Sequence, residues 1–262
     1  MRHEAPAAPA LERGLAVLDA LATGFRDGAS AEQLRERLGV PRASLYRVLK
    51  VLEVRRLVAQ DARSGLYRLG RRTLELGYLA RQSVPLVRAV QPLLSQLAQA
   101  THQMSEVCVA VGRWELLMLD VWLAEGTPVE VSARAGLLFG LNHQVAHGLV
   151  YLAFDAGRRV EEYIRLAARP EGRSALRVER AAPADLFEQL ERARRRGWAA
   201  LTYTGHKPRR TRISVPVFDP RTPGRLAAAL GLVCAATAYT PLRAAAWAAE
   251  LRAKARELEL AL

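Results

Sequence analysis

Cysteine is nearly missing from this chain, with two thiols, Cys108 and Cys234, among 262 residues. Two cannot build a disulfide framework or a zinc quartet, and each lies in a strongly apolar run that predicts a buried, reduced thiol. Long hydrophobic runs are missing as well: no apolar stretch approaches the ~20 residues that span a bilayer. No N-terminal segment has the positive start and apolar core of a signal peptide. A cytoplasmic protein without a membrane partner is therefore expected. No G-x-S-x-G, G-x-G-x-x-G or P-loop occurs, and the acids are dispersed rather than paired, so neither an enzyme nor a bound cofactor is expected. Ser105 and His102 are close in sequence, but a Ser-His pair without an orienting partner is weak evidence for catalysis. Acid is short too: 26 Asp and Glu face 39 Lys and Arg, a formal net charge of +13 that favours anionic partners.

What is present is enough chain, 50% hydrophobic, for about two domains with real cores. Residues 1 to 83 carry 15 bases and 9 acids, a net +6, which leaves +7 for the rest, so net charge alone does not locate a binding site. Local concentration does. From Val40 to Arg72 stand nine bases (Arg42, Arg47, Lys50, Arg55, Arg56, Arg63, Arg68, Arg71 and Arg72) against only Glu53 and Asp61. That is an electrostatic footprint for a polyanion.

Leu45, Val48, Leu49 and Leu52 follow the i, i+3, i+4, i+7 pattern of one helix face, with Pro41 suited to the first turn. The opposite face collects Ala43, Tyr46, Arg47 and Lys50, with Arg42 and Ser44 at the helix start. Upstream, Ser30 can cap a helix over Ala31 to Leu38, and Gly39 makes the break before Pro41. Downstream, Leu57 to Gln60 and Leu66 to Leu69 read as a two-stranded wing around a turn that carries Arg63, with Arg68 on its return strand. This is helix-turn-helix spacing. Arg can read guanine bidentately, whereas Tyr and Lys more often meet the DNA backbone.

Taken in order, ALERGLAVLDAL, LRERLGVPRASLYRVLKVLE and GLYRLG resemble the winged-helix end of the IclR family of bacterial transcriptional regulators. The resemblance implies an operator-binding protein whose first helix helps to pair DNA-binding domains. The expected DNA contacts are Arg42, Ala43, Ser44, Tyr46, Arg47, Lys50, Arg63 and Arg68. The first helix starts near Ala10 and carries an apolar stripe of Leu11, Leu15, Val17, Leu18 and Leu21.

Beyond the wing, Arg71 to Gln82 reads as a linker helix and Leu86 to Thr101 as a packing helix. Alternation predicts strands over Ser105 to Val111, Glu115 to Leu123, Pro128 to Ala133, Arg212 to Phe218 and Leu226 to Ala235. Helices are expected over Gln144 to Ala156, Val160 to Leu166, Pro183 to Arg196 and Pro241 to Leu262. The fold class is thus α+β: disordered residues 1 to 9, a winged helix-turn-helix domain over 10 to 70, a linker helix over 71 to 84, and an antiparallel sheet with flanking helices over 85 to 262.

The resemblance continues there as a GAF-like effector-binding domain. His143-Gln-Val-Ala-His147-Gly148-Leu-Val-Tyr-Leu-Ala153 resembles the family's H-A-T-A-L-G-K-A-L-L-A pattern, Ile213-Ser-Val-Pro216-Val resembles its I-A-x-P-V strand, and Thr240-Pro241 matches the opening of its last helix. By that resemblance an effector pocket is expected at Met118, Leu141, Ala146, His147, Arg212, Ser214, Gly231 and Val233, with Trp122 as a further wall and Gly148 leaving room. The family tends to place Cys or Ser where this chain has Arg212, Gly231 and Val233. Two readings of Arg212 stand: an anchor for an aromatic or apolar carboxylate, or a solvent-facing side chain over a degenerate pocket. His143 and His147 are four apart on an expected helix, a metal-compatible spacing, but a third ligand from His102, His206, Asp120 or Glu106 is not indicated by the sequence. A fold-supporting histidine beside a pocket-lining one is the simpler account, and no metal is expected.

The expected protein is a homodimer or dimer of dimers that binds double-stranded operator DNA and senses a small organic acid. The rivals are a regulator whose sensor domain serves only assembly, and a metal-dependent enzyme.

Overall fold

In the computed structural model, which describes residues 8–25, 27–127, 134–157, 160–172, 182–203 and 209–262, the chain forms two compact units, 1–83 and 84–262. The expected disorder of residues 1–9 concerns a segment that lies, up to residue 7, outside the described residues. So do the expected strand over 128–133 and His206.

The first unit comprises α1 (Pro9–Gly24), α2 (Ala31–Leu38), α3 (Arg42–Val54), β1 (Val58–Gln60), β2 (Tyr67–Leu69) and α4 (Arg71–Ser83). Ser30 caps α2 in a reciprocal box with Gln33: its hydroxyl accepts from the Gln33 amide while the Gln33 side chain accepts from the Ser30 amide. Gly39, at φ +62°, ends α2 in the left-handed conformation that glycine adopts without strain. Pro41 then stands at the N-cap of α3, one residue earlier than its expected first-turn place. Leu45, Leu49 and Leu52 bury against Val17, Leu21, Leu34, Val58 and Tyr67, so the helices and the wing share one core. Of the stripe on α1, only Val17 and Leu21 are fully buried, while Leu11 and Leu15 are 62% and 48% exposed. No residue of α4 is buried.

The second unit is built on an antiparallel sheet of order β5-β4-β3-β8-β7-β6, with β3 Met104–Ala110, β4 Glu115–Trp122, β5 Leu138–Gly140, β6 Ala199–Tyr203, β7 Arg210–Phe218 and β8 Leu226–Ala235. The sequence reading missed β5 and β6, which are short edge strands without clean alternation. On one face, α5 (Pro85–Thr101) and α9 (Pro241–Leu260) cover Val107, Ile213, Val215, Val217, Leu230 and Leu232. On the other lie α6 (Ala146–Phe154), α7 (Val160–Ala167) and α8 (Leu186–Arg196), over Met104, Cys108, Ala229 and Val233. The period of two along each strand sorts side chains between the two cores. Thr240 caps α9 by accepting from the Arg243 amide.

α6 is buried along nearly its whole length, in keeping with its mostly apolar sequence. Gly148 does not leave room for a ligand: a Cβ there would stand 1.8 Å from the Asn142 carbonyl oxygen, so the loop before α6 fills that space. Gly148→Ala is expected to cost at least the 1–3 kcal/mol typical of overpacking, at about that order. All four tryptophans (Trp114, Trp122, Trp198 and Trp247) lie in the second unit. Their fluorescence in a urea titration therefore reads this loss, and an unchanged midpoint would show that the loop can move away.

Candidate functional site

The two units present two different chemistries. On the first, the side of α3 opposite its leucines holds Arg42, Ala43, Tyr46, Arg47 and Lys50, all exposed. The Arg42 guanidinium lies 5.6 Å from the Tyr46 ring centroid, one helical turn away. Ser44 departs from expectation. It is buried, and its hydroxyl accepts a 2.8 Å hydrogen bond from Arg13, because position 44 falls on the flank that packs towards α1. It joins α1 to α3 instead of facing DNA.

The wing is closed by Asp61, whose carboxylate accepts from the Arg63 and Ser64 amides and the Ser64 hydroxyl. Those bonds hold its carboxyl below the usual range. Arg63 is exposed at the tip. Arg68 is exposed too, but its Nε donates to the Asp27 carbonyl, fixing the side chain along the wing root. Ala29 and Tyr67 exchange backbone hydrogen bonds and tie the segment before α2 to β2.

In the second unit, the register brings Glu106 of β3, Gly231 of β8 and Ser214 of β7 into one row across the sheet. His147, in the first turn of α6, lies over the row. Its Nδ1 is 2.7 Å from Ser214 Oγ and its Nε2 2.9 Å from Glu106 Oε1. The neutral imidazole that satisfies both contacts accepts from the serine and donates to the carboxylate. Glu106 also receives the Arg212 fork, from Nε to Oε1 and from Nη2 to Oε2. Arg212 Nη1 donates to the Tyr203 hydroxyl, and its guanidinium carbon lies 5.1 Å from the Tyr203 ring centroid. Glu106, His147 and Ser214 are 0% exposed, and the Arg212 side chain is 11% exposed.

Burial alone would push Glu106 up, but the Arg212 charge and the His147 and Arg212 hydrogen bonds win and hold it at about 2. Burial lowers His147 below its usual value, more than Glu106 raises it. Burial likewise raises the Tyr203 hydroxyl and pushes the Cys108 thiol well up, with the Glu106 charge adding to the latter. Cys234 is pushed up to about 11 by burial. Both thiols are free, buried and weakly acidic.

These contacts correct several expectations. Arg212 neither faces solvent nor stands free for a ligand carboxylate, because an internal carboxylate fills its fork. Gly231 does not open a pocket: a Cβ there would meet the His147 ring at 2.7 Å and Glu106 Oε1 at 3.3 Å, so glycine is needed to seat the imidazole. Trp122, 43% exposed at a strand end, does not line a buried wall. His143 precedes α6 instead of lying on it, and bonds Tyr163 through its backbone amide and ring Nδ1. The two histidines therefore turn apart. Among the described residues no three His, Cys, Asp or Glu side chains could hold a metal ion. Met118, Leu141 and Val233 are buried in the core beside α6, and Ala146, the first residue of α6, is buried as well. Tyr203 was missed entirely and Glu106 was considered only as a metal ligand. The available signal was a lone acid inside the apolar strand SEVCVAV, which demands a buried partner.

A basic helix-turn-helix with a wing, in one chain with a sheet domain that holds a polar constellation under one helix, is the build of a DNA-binding regulator with a sensor domain. The family described as the IclR helix-turn-helix domain matches residues 10–62, and the bacterial transcriptional regulator IclR C-terminal family matches residues 78–260. The chain belongs to the IclR family of bacterial transcriptional regulators. It is 27% identical over 229 residues to the Pca regulon regulatory protein of Pseudomonas putida, covering 85% of this chain and 72% of that protein. The fold is shared with an IclR family transcriptional regulator from Brucella abortus, at TM-score 0.78, 20% identity and coverage of 100% and 96% of the two chains. It is also shared with an IclR homolog complexed with 4-hydroxybenzoate from Microbacterium hydrocarbonoxydans, at TM-score 0.69, 23% identity and coverage of 97% and 98%.

Removing one member of a buried ion pair leaves the other uncompensated, so Glu106→Gln is expected to cost about 3–5 kcal/mol. The pH dependence has a definite sign. A carboxyl held at about 2 in the folded chain, against 4.5 normally, stabilises above pH 4.5, and that contribution is lost as pH falls towards 2. It amounts to about 3 kcal/mol. His147, lowered from 6.5, acts in the same direction, its contribution falling as pH drops below that value. Tryptophan-monitored stability should therefore decline in acid for the native chain and decline less steeply below pH 4.5 for Glu106→Gln. Parallel slopes would show that Glu106 is not the titrating group.

Proposed function

We propose that the chain binds operator DNA through α3 and its wing, with Arg47 reading base edges, Arg42, Tyr46, Lys50 and Arg63 positioning the helix, and Ala43 allowing close approach. The exposed face of α3, held outward by Leu45, Leu49 and Leu52 beneath it, carries this reading. Arg68 contributes by bracing the wing. The domain limits proposed are 10–70 for DNA binding, 71–84 for the linker helix and 85–262 for effector binding and oligomerisation. Regulation takes place in the cytoplasm and involves no catalysis; no helix among the described residues is long and apolar enough to cross a membrane.

The proposed sensing site is the region under α6, around Met118, Leu141, Ala146, His147, Arg212, Ser214, Gly231 and Val233. The convergence of four polar side chains from β3, β7 and α6 within an otherwise apolar core supports it. The 4-hydroxybenzoate in one relative's structure makes small ring-bearing organic molecules the probes to start from. Effector binding alters DNA affinity by favouring one arrangement of the winged helices, with α4 as the route. Dimerisation places two winged helices on two half-sites. Leu11 and Leu15 on α1, exposed in the single chain, are the proposed pairing surface.

On an operator selected from random duplexes, Arg47→Ala should cost about 1–3 kcal/mol and relax discrimination. Lys50→Ala should weaken cognate and random DNA alike. Fluorescence anisotropy on both DNAs decides, and equal losses for Arg47→Ala remove it from base reading. Light scattering at micromolar concentration should show a dimer that Leu11→Glu with Leu15→Glu dissociates; a native monomer that still binds operator tightly would overturn the pairing.

A further inference from the structure

The polar constellation under α6 is charge-balanced from within. Glu106 contributes one negative charge, Arg212 one positive charge, and His147 and Ser214 are neutral partners in the same chain of hydrogen bonds. We infer that Glu106 is the resident anion of this site and a specificity-determining residue: it occupies the guanidinium that a carboxylate would need, and so restricts the site to ligands uncharged where they meet Arg212. The inference rests on the reading of this domain as a sensor, and deepens it by naming the ligand class.

The Nε–Nη2 face of Arg212 is spent on Glu106 and Nη1 donates to Tyr203, so three of its five N–H groups are engaged and the side-on fork that a carboxylate would take is filled. If it approached nonetheless, two carboxylates would share one guanidinium where Glu106 has no exposure to water, an arrangement that ordinarily forces one of them to take a proton. Glu106 resists that proton, since Arg212 and His147 hold it at about 2 against burial. His147 supplies no second positive charge, because burial favours its neutral form and its Nδ1 is engaged with Ser214. Nor can Glu106 swing aside easily. It sits inside β3, hydrogen-bonded to Arg212 and His147, and the His147 ring packs directly against Gly231 on the neighbouring strand. An uncharged ligand meets none of these penalties.

The test uses the full chain without DNA, melted under tryptophan fluorescence in sodium benzoate, sodium acetate or benzamide at constant ionic strength. Native protein should melt at the same temperature in either carboxylate as in chloride. Glu106→Ala removes the carboxylate and vacates its place at the Arg212 fork; it should melt lower, and acetate should restore a large part of the loss while benzamide does not. The double variant Glu106→Ala with Arg212→Gln should lose that rescue. Carboxylate stabilisation of the native chain that disappears in Arg212→Gln overturns the inference, and so does a folded Glu106→Ala that ignores acetate. Should Glu106→Ala fail to fold in chloride, it is purified in acetate and in benzamide: folded protein from acetate alone supports the inference, and failure in all three overturns it. The readout is melting and not operator affinity. If the sensor reading itself is wrong, the rescue still occurs but no small molecule changes DNA binding.

Discussion

A single carboxylate buried in the middle of an apolar sheet constrains most of the second unit. Glu106 has no contact with water, and an isolated charge in such a place would be prohibitive. It is tolerated because β7 supplies a guanidinium that reaches both of its oxygens and α6 an imidazole that donates to Oε1. Meeting that demand fixes several other features. The register must set Glu106, Gly231 and Ser214 in one row; Gly231 must lack a side chain so that the imidazole fits; and α6 must dock with its first turn against the sheet. The apolar packing of α6 and its polar contacts are thus one arrangement. An alternative docking of the helix would lose both.

The order serine, histidine, carboxylate invites comparison with a catalytic triad, and the environment argues against that role. A nucleophile needs access to substrate, and Ser214 is 0% exposed. The carboxylate of a triad stabilises a developing imidazolium, whereas the Glu106 charge is already held by Arg212. Burial further disfavours a charged His147. The same groups that would activate a serine at a surface form here a buried and electrically neutral network, and satisfied buried networks tend to fix one packing.

The first unit uses charge in the opposite way. Its bases stand in water on α3 and the wing, where they are cheap to solvate, screened by salt and available to a polyanion. Their placement depends on uncharged features: the Ser30 and Gln33 capping box, Gly39 in the left-handed region, and three leucines that fix the rotation of α3 about its own axis. Asp61 contributes by closing the wing turn, which holds Arg63 at its tip.

The elements of the first unit were legible in the sequence because each is specified locally. Caps, turns and helical periodicity act over three to seven residues, so α2, α3 and the wing follow from Ser30, Gly39, Leu45, Leu49 and the turn after Gln60. Ser44 was misplaced because the helix start gives little angular information, and Arg13, its partner, lies 31 positions away. In the second unit, alternation located the main segments of the four long strands β3, β4, β7 and β8, but not β5 and β6, which are too short to establish a period. The constellation under α6 was beyond local pattern. Its members are residues 106, 147, 203, 212 and 214, and what unites them is strand register and the docking of one helix. The sequence by itself determined the strands and the helix segment that carry Glu106, Arg212 and His147, and left Arg212 open between a ligand anchor and a solvent-facing side chain. Only the tertiary structure decided which of them pair, because a buried charge selects its partner by distance in space, and that distance is set by the sheet.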